Sequence, residues 1–551
     1  MEKLSLFLLA ATAVYAQPSI QSGSILNASG YQNKLAPDTV FVIFGSGMGP
    51  GSIVLGSAPD YATMLAGTSV SFTPAAGGAP VAARMVYAVA GQVAGLLPSS
   101  ITPGAYAVRV TYNGAASAPQ NVTVVARSFG IATVNSAGSG PAQATIGDVN
   151  NGLSLVRFTT GSVSFNGYDW KLTPSHGGDT LVFWGTGGGA DAANDTGGTS
   201  GDQSKAGGFS VNLGGRTITP LYAGASAGYP GLWQLNFTIP ADIAPDCYTP
   251  AAVTAGGETS NLVTIAIAAA GQTACTDPNL SAATLAKLDS GGEIIGGAFG
   301  LVHSDNVSGT VSTTQEFANG AIYRWTASQW ATGAPLRPAL GQCGVYDRIV
   351  TNGIDASVGP AGELDAGARL PLSGPNLTLG AAMVRSVTGG FGPYYQLNLT
   401  TTSYAAGGTY MLSGPGGAEV GPWAAVSTRM PDSFSLTNLS AIGPVDHTKA
   451  LTLNWTGAGF DHLLIDVDSS VLLGAGRTRS VTITCDAPAA PGSFTIPAGL
   501  MNVLPASAIG AMGVYAQPNP GLFKADLTAG GQIDFGSVAA ERGVSKSFAV
   551  Q

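Results

Sequence analysis

Charged residues are scarce in this chain. Only 10% of its 551 residues are Asp, Glu, Lys or Arg, against roughly 25% in an average soluble protein. The 22 Lys and Arg residues are dispersed and the net charge is -9. Nucleic-acid binding needs clustered cations to neutralise phosphates, and no such cluster is present. A polybasic stretch for an anionic membrane is missing too. Histidine and cysteine number four each. No CxxC occurs, and His176, His303, His447 and His462 lack ligand spacing, which removes the zinc-site patterns. No apolar run reaches the roughly 20 residues that cross a bilayer as a helix. LVTIAIAAA (262–270) is too short and reads as a buried strand. Windows with apolar residues at 3.6-residue spacing are also absent, which argues against a helical fold.

What is abundant is glycine, at 79 residues, in a chain that is 45% hydrophobic. That apolar content fills several cores and argues against disorder. Gly, Ala, Ser, Thr and Val suit short strands joined by tight turns. At roughly 100–150 residues per domain the length predicts about four domains. The expected fold class is all-β, as tandem immunoglobulin-like sandwiches.

Lys3 precedes an apolar run from Leu4 to Ala13, and Val14-Tyr15-Ala16 fits the small-x-small cleavage rule. Residues 1–16 therefore read as a secretory signal peptide cut before Gln17. Four cysteines in an exported chain suggest disulfides, with three possible connectivities. The pairing preferred here is Cys247–Cys275, with Cys343–Cys485 as the remaining pair. The first would tie the last hairpin of one domain to the start of the next.

An internal repeat organises the first half. DTVFVIFGSGMG (38–49) returns as DTLVFWGTGGG (179–189), and GAPVAARMVYA (78–88) answers GGRTITPLYAG (214–224). Residues 96–125 answer 237–267 in the same order of strands and turns. Short strands at this regular spacing predict β-sandwiches. The boundaries that follow are 17–127 and 128–269, with a longer loop inserted at 188–207.

NASGYQNKLAPDTVFVIFGSGMGPGS (27–52), SFGIATVNSAGSGPAQA (128–144) and YAGASAGYPGLWQLNFTIP (222–240) together resemble a domain of secreted acidobacterial proteins, the Solibacter-type C-terminal domain. The resemblance covers about residues 20–268. It implies two tandem domains of the IPT/TIG immunoglobulin-like group and no established activity. GQVAGLLP (91–98) departs from the family's pattern, which puts the regularity of that hairpin in doubt.

Beyond a Gly/Ala/Thr link, with a short helix expected near 281–288, alternation again signals strands. Examples are AIYRWTA (321–327), YYQLNLTT (394–401), ALTLNWTG (450–457) and SVTITC (480–485). Turn signals such as GGFGP (389–393) separate them. This half divides into a β-rich domain at 270–428 and an Ig-like or fibronectin-like sandwich at 429–551, with the boundary near Met430-Pro431-Asp432.

The chemical motifs are weak. Gly224-Ala225-Ser226-Ala227-Gly228 matches a nucleophile elbow, but that motif works as a strand-to-helix turn and a hairpin is expected here. Gly45-Ser46-Gly47 and Gly185-Thr186-Gly187 follow strands without a complete dinucleotide fingerprint, so they read as turn glycines. Oxygen ligands for calcium are conceivable on the 148–152 turn and at Asp191, Asp195 and Asp202, without matching an EF-hand. Calcium is the one ion weighed, and no other cofactor is expected. Tyr229, Trp233, Tyr394, Tyr395 and Trp423 would suit sugar stacking if exposed, and otherwise are core residues. The 31 acidic residues show no pair that marks glycoside hydrolysis.

The expected function is an exported, non-catalytic structural or interaction protein. Its sandwiches would act as spacers or adhesive surfaces toward an extracellular or envelope protein or glycan. Carbohydrate binding through exposed aromatics is the alternative, and a β-scaffold hydrolase is the third.

Overall fold

A computed structural model describes residues 17–551 except 148–151, 166–167, 200, 310, 334–336, 352–361, 387–393 and 475–476. The proposed leader, most of the 148–152 turn and all of the 389–393 turn lie outside the described residues. The chain is almost all β, as immunoglobulin-like sandwiches in tandem. A helix at Ala282–Asp289 starts on Ser281, whose hydroxyl accepts from Thr284 N at 3.2 Å.

The first sandwich packs a sheet centred on Val40–Ser46 and Gln92–Leu96 against one centred on Gly104–Tyr112 and Thr68–Pro74. Strand alternation turns Val70 and Phe72, then Val108 and Val110, into the shared core. Phe41, Phe72 and Tyr106 meet edge to face there. Tyr106 donates to Thr102 O at 2.7 Å, closing the corner that leads into its strand.

The second sandwich reuses the plan. Thr180–Thr186 takes the place of Val40–Ser46, and Asp246–Ala255 that of Gly104–Tyr112. In each copy a two-residue strand, Lys34–Leu35 or Ser175–His176, enters the second sheet in parallel with the closing strand. The hairpin at 84–96 does carry a register shift, between Met85 and Tyr87, whereas 222–225 pairs with 233–236 without one. The turn glycines have a second duty. A Cβ on Gly45 would stand 2.0 Å from Ser19 O, and one on Gly185 would stand 2.1 Å from Gly130 O. Gly47 and Gly187 have φ of +62° and +88°. Neighbouring backbone and turn geometry thus demand glycine in both copies.

The second half departs from the expected split at 428/429. One long sheet runs from Cys343–Thr351 through Arg477–Pro488, His462–Gly474, Ser507–Gln517 and Phe535–Val550. It continues through Ile294–Ser308 and Val311–Trp325 to Trp423–Arg429. The join across the expected boundary is parallel, with 294–308 beside 535–550, from Gly296 opposite Phe535 to Val307 opposite Lys546. The 535–550 strand gives Val538 and Ala540 to one core and Val544 and Val550 to another. Two cores therefore share one spine. Local alternation shows which face of a strand is buried, but it does not show which distant strand lies beside it.

Both disulfides are present. Cys343 and Cys485 stand directly opposite each other on neighbouring strands. Cys247–Cys275 lies in a core with Phe158, Leu285, Trp325 and Trp330, where the second sandwich meets the second half. The 246–255 strand is buried on nearly every residue because its outer face packs there too, and Ala252 joins a second-half core.

Candidate functional site

The five candidate aromatic rings do not form a binding row. Trp233 is fully buried and stacks on Phe209 at 6.1 Å. Trp423 stacks on Phe523 at 4.8 Å, Tyr395 is 1% exposed, and Tyr394 is half-buried. Only Tyr229 stands open, at 66% exposure. Core packing claims the large rings because each removes the most apolar surface from water. Ser226 lies in the hairpin that the sequence predicts. It follows Tyr222–Ala225 in a hairpin, and its N donates to Leu232 O, so no strand-to-helix turn is formed.

The loop weighed for calcium is a joint. Asp191 N donates to Asp38 at 2.5 Å, while Ser99 N and Oγ donate to Asp195 at 3.0 and 2.9 Å. Asp202 is turned away to accept from Ser204 N, Ser204 Oγ and Ala223 N. Among the described residues no group of three or more His, Cys, Asp or Glu is placed to hold a metal. Asp38 is fully buried, and its pKa is pushed up to about 9 by that burial and then by Asp195. At neutral pH it therefore carries a proton.

The same joint is laced by neutral groups. Asn27 Nδ2 donates to Ser128 O at 3.0 Å and Thr186 O at 3.2 Å. Thr186 Oγ1 accepts from Val40 N and donates to Gly231 O. Asn194, fully buried, accepts from Gly231 N. These bonds replace water at buried backbone groups of both sandwiches.

A different concentration of chemistry lies on the long sheet. In 462–470 every second residue faces away from the apolar core, which places His462, Leu464, Asp466, Asp468 and Ser470 on one face. The registers align Thr484 and Asp486, then Tyr515 and Gln517, then Glu541 and Gly543, and finally Ser304 on the same face. Asp466 accepts from Thr484 Oγ1 at 2.5 Å, and Gln517 Nε2 donates to Glu541. At one end Arg337 Nε donates to Asp486 at 2.8 Å, and its Nη2 lies 2.7–2.8 Å from the His462 ring.

Burial sets the electrostatics of this face. It pushes Glu541 up to about 7, where Gln517 and Arg337 oppose the rise and Asp466 adds to it. Burial also raises Asp466, and it raises Asp468 together with the Asp466 charge. Tyr515 is raised by burial, Glu541 and Asp466, against a hydrogen bond with Ser304. The face therefore offers hydrogen-bond acceptors and carboxyls raised by burial near an aromatic ring. Dispersal of the acidic residues along the sequence hid it. The one local signal was Asp466-Val467-Asp468, two acids at strand period inside an apolar strand.

No helix among the described residues is long and apolar enough to cross a membrane. No family model matches the chain, and no curated protein matches it. Among solved structures it resembles the FN1–FN3 domains of chicken CNTN1, at 8% identity and a TM-score of 0.12, over 75% of this chain and 99% of that one. It also resembles Bacteroides ovatus SGBP-B in complex with a mixed-linkage heptasaccharide, at 11% identity and 0.12, over 91% and 95%. Sidekick-1 immunoglobulin domains 1–4 match at 10% and 0.10, over 96% and 98%. Scores this low carry no argument about activity. The strand order itself shows an all-β protein of packed sheets.

Proposed function

We propose that this protein is an exported, non-catalytic scaffold whose sandwiches hold a binding face in a fixed position. One observation carries the reading. The first two sandwiches are joined by buried and part-buried side-chain hydrogen bonds at Asn27, Thr186 and Asp195, and the second is held to the second half by packing around the Cys247–Cys275 disulfide. A chain of flexible modules has no use for such joints. Two disulfides favour an oxidising compartment, and the apolar leader at 4–13 gives a route to it. The repeat and its motifs support placing the first two sandwiches in the IPT/TIG-like group.

Cell fractionation with N-terminal sequencing tests export. Mature protein beginning at Gln17, recovered outside the cytoplasm with no free thiols, is the expected result. A cytoplasmic, reduced, full-length product would overturn it. Co-sedimentation with isolated envelopes and extracellular polymers tests binding, and failure to associate with any of them would leave only a spacer role.

A further inference from the structure

Asp246 opens the 246–255 strand, where the second sandwich meets the second half. Its ladder with 263–268 shifts register between Asp246 and Thr249, a break that re-aims a side chain. Asp246 is 1% exposed. Its Oδ1 accepts from Tyr248 N at 2.9 Å, and its Oδ2 makes no hydrogen bond. The Tyr248 hydroxyl bridges the joint. It donates to Asp277, in the link, at 2.6 Å and accepts from Trp330 Nε1, in the second half, at 3.1 Å. Among the described residues no cation is paired with Asp246. Arg337 acts on Asp277, but its Nε is bound to Asp486 at 2.8 Å. Arg157 is paired with Asp289 at 3.0 Å. Burial pushes the Asp246 carboxyl up to about 7; the N–H dipoles of Tyr248 and Ala339 oppose this, and the Asp277 charge adds to it. A carboxyl buried at an interface without a cation is tolerated neutral and resisted when charged.

We propose that this joint is a pH-operated latch, closed while Asp246 carries a proton and loosened when Asp246 ionises. Trp330 and Ala339 belong to the second half, so docking of that half is what keeps water from the carboxyl. The Cys247–Cys275 disulfide keeps the link attached to the 246–255 strand in both states. In the closed joint Asp246 holds its proton to about pH 7, whereas in water it ionises near pH 3.9. Loosening therefore releases one proton between those values. The open fraction grows by up to about ten-fold per pH unit until about pH 7 and then levels off. The latch goes beyond the scaffold reading, and it stands or fails whether or not the protein is exported or binds a polymer. It makes the fixed geometry of the chain a property of acidic surroundings.

Hydrogen exchange of the full oxidised chain from pH 5 to 8.5, corrected for the intrinsic rate at each pH, tests this. The readout is the 275–285 segment, where Cys275 N donates to Phe158 O, and Asn279 N and Leu280 N donate to Asp277. Opening there should rise by about ten-fold per pH unit from pH 5 to 6.5 and flatten above pH 8. Asp246→Asn keeps the shape and removes the charge, so its profile should be flat. Asp38→Asn, at the other joint, should keep the wild-type slope. Exchange over 463–467, in the core of the second half, should not follow the pH. A slope that persists in Asp246→Asn would overturn the latch, and so would a matching rise over 463–467, which would mean unfolding. If Asp246→Asn does not fold, the wild-type profile decides. A flat profile, or one still climbing above pH 8, would overturn the latch.

Discussion

Asp38 in the first sandwich accepts from the backbone N–H of Asp191 in the second, 153 positions further along the chain, at the joint between the two. Burial, and then the nearby Asp195 charge, pushes the Asp38 carboxyl up to about 9, so it holds its proton at neutral pH. The joint is therefore a titratable element, although the loop that builds it resembled an ion site in the sequence.

Stability should fall with rising pH through this residue. An unfolded Asp ionises near pH 3.9, whereas folded Asp38 holds its proton to about pH 9. The folded state binds more protons between those values, so the stabilisation is full below about pH 4 and is lost as pH approaches 9. Scanning calorimetry of the full chain from pH 5 to 9 should show the transition of the first two sandwiches drop. Asp38→Asn should flatten that slope and raise the transition at pH 8. Parallel slopes for the two proteins would remove Asp38 as the cause.

Removing the disulfides should cost unequal amounts. The loops close over 28 and 142 residues, which the chain-entropy account converts to about 4 and about 5 kcal/mol. Urea unfolding of the Cys247→Ser/Cys275→Ser and Cys343→Ser/Cys485→Ser double variants measures both. The first should also loosen the second sandwich from the second half, seen as faster proteolysis in the 270–281 link.

The glycine pair should respond alike in the two copies. Gly45→Ala and Gly185→Ala each drive a Cβ into a neighbouring backbone carbonyl, so each should lose about 1–3 kcal/mol. Gly161, with nothing within 4 Å of its added Cβ, is the control, and Gly161→Ala should be close to neutral. Equal effects at all three positions would refute the backbone-contact explanation.

Thr186→Val should strip the joint of one donor and one acceptor at once. Val40 N and Gly231 O both rely on Thr186 Oγ1, and leaving them buried without partners should cost about 1–3 kcal/mol each at most. Hydrogen exchange at the Val40 amide is the readout, with faster exchange expected there and little change at Val110 in the opposite sheet.

The first half was largely legible because the information was written twice. Strand, Gly turn and closing strand recur at 38–49 and 179–189, and alternation fixes which residues are core. The aromatics could not be sorted this way. Trp233 and Tyr229 stand four residues apart in the same hairpin, and the facing sheet alone decides that one is buried. The second half was less legible because its sheet order is not local. Nothing near Ile294 or Phe535 announces that they share a ladder. The polar face has the same origin, since Asp466, Tyr515, Glu541 and Ser304 come from four strands that only the register brings together.

The parallel pairing of 294–308 with 535–550 sets an order of assembly. On synthesis, the 294–308 strand finds its hairpin partner at 311–325 within a few residues. Its other edge must wait until more than 220 further residues have appeared. Throughout that interval a long unpaired edge is exposed to any other strand, including the same edge of another copy. The two N-terminal sandwiches can close as they emerge, whereas the second half stays unfinished until its last strand arrives. Crowded nascent chains should therefore misassemble through this edge, and slowing synthesis after residue 311 should prolong the risk.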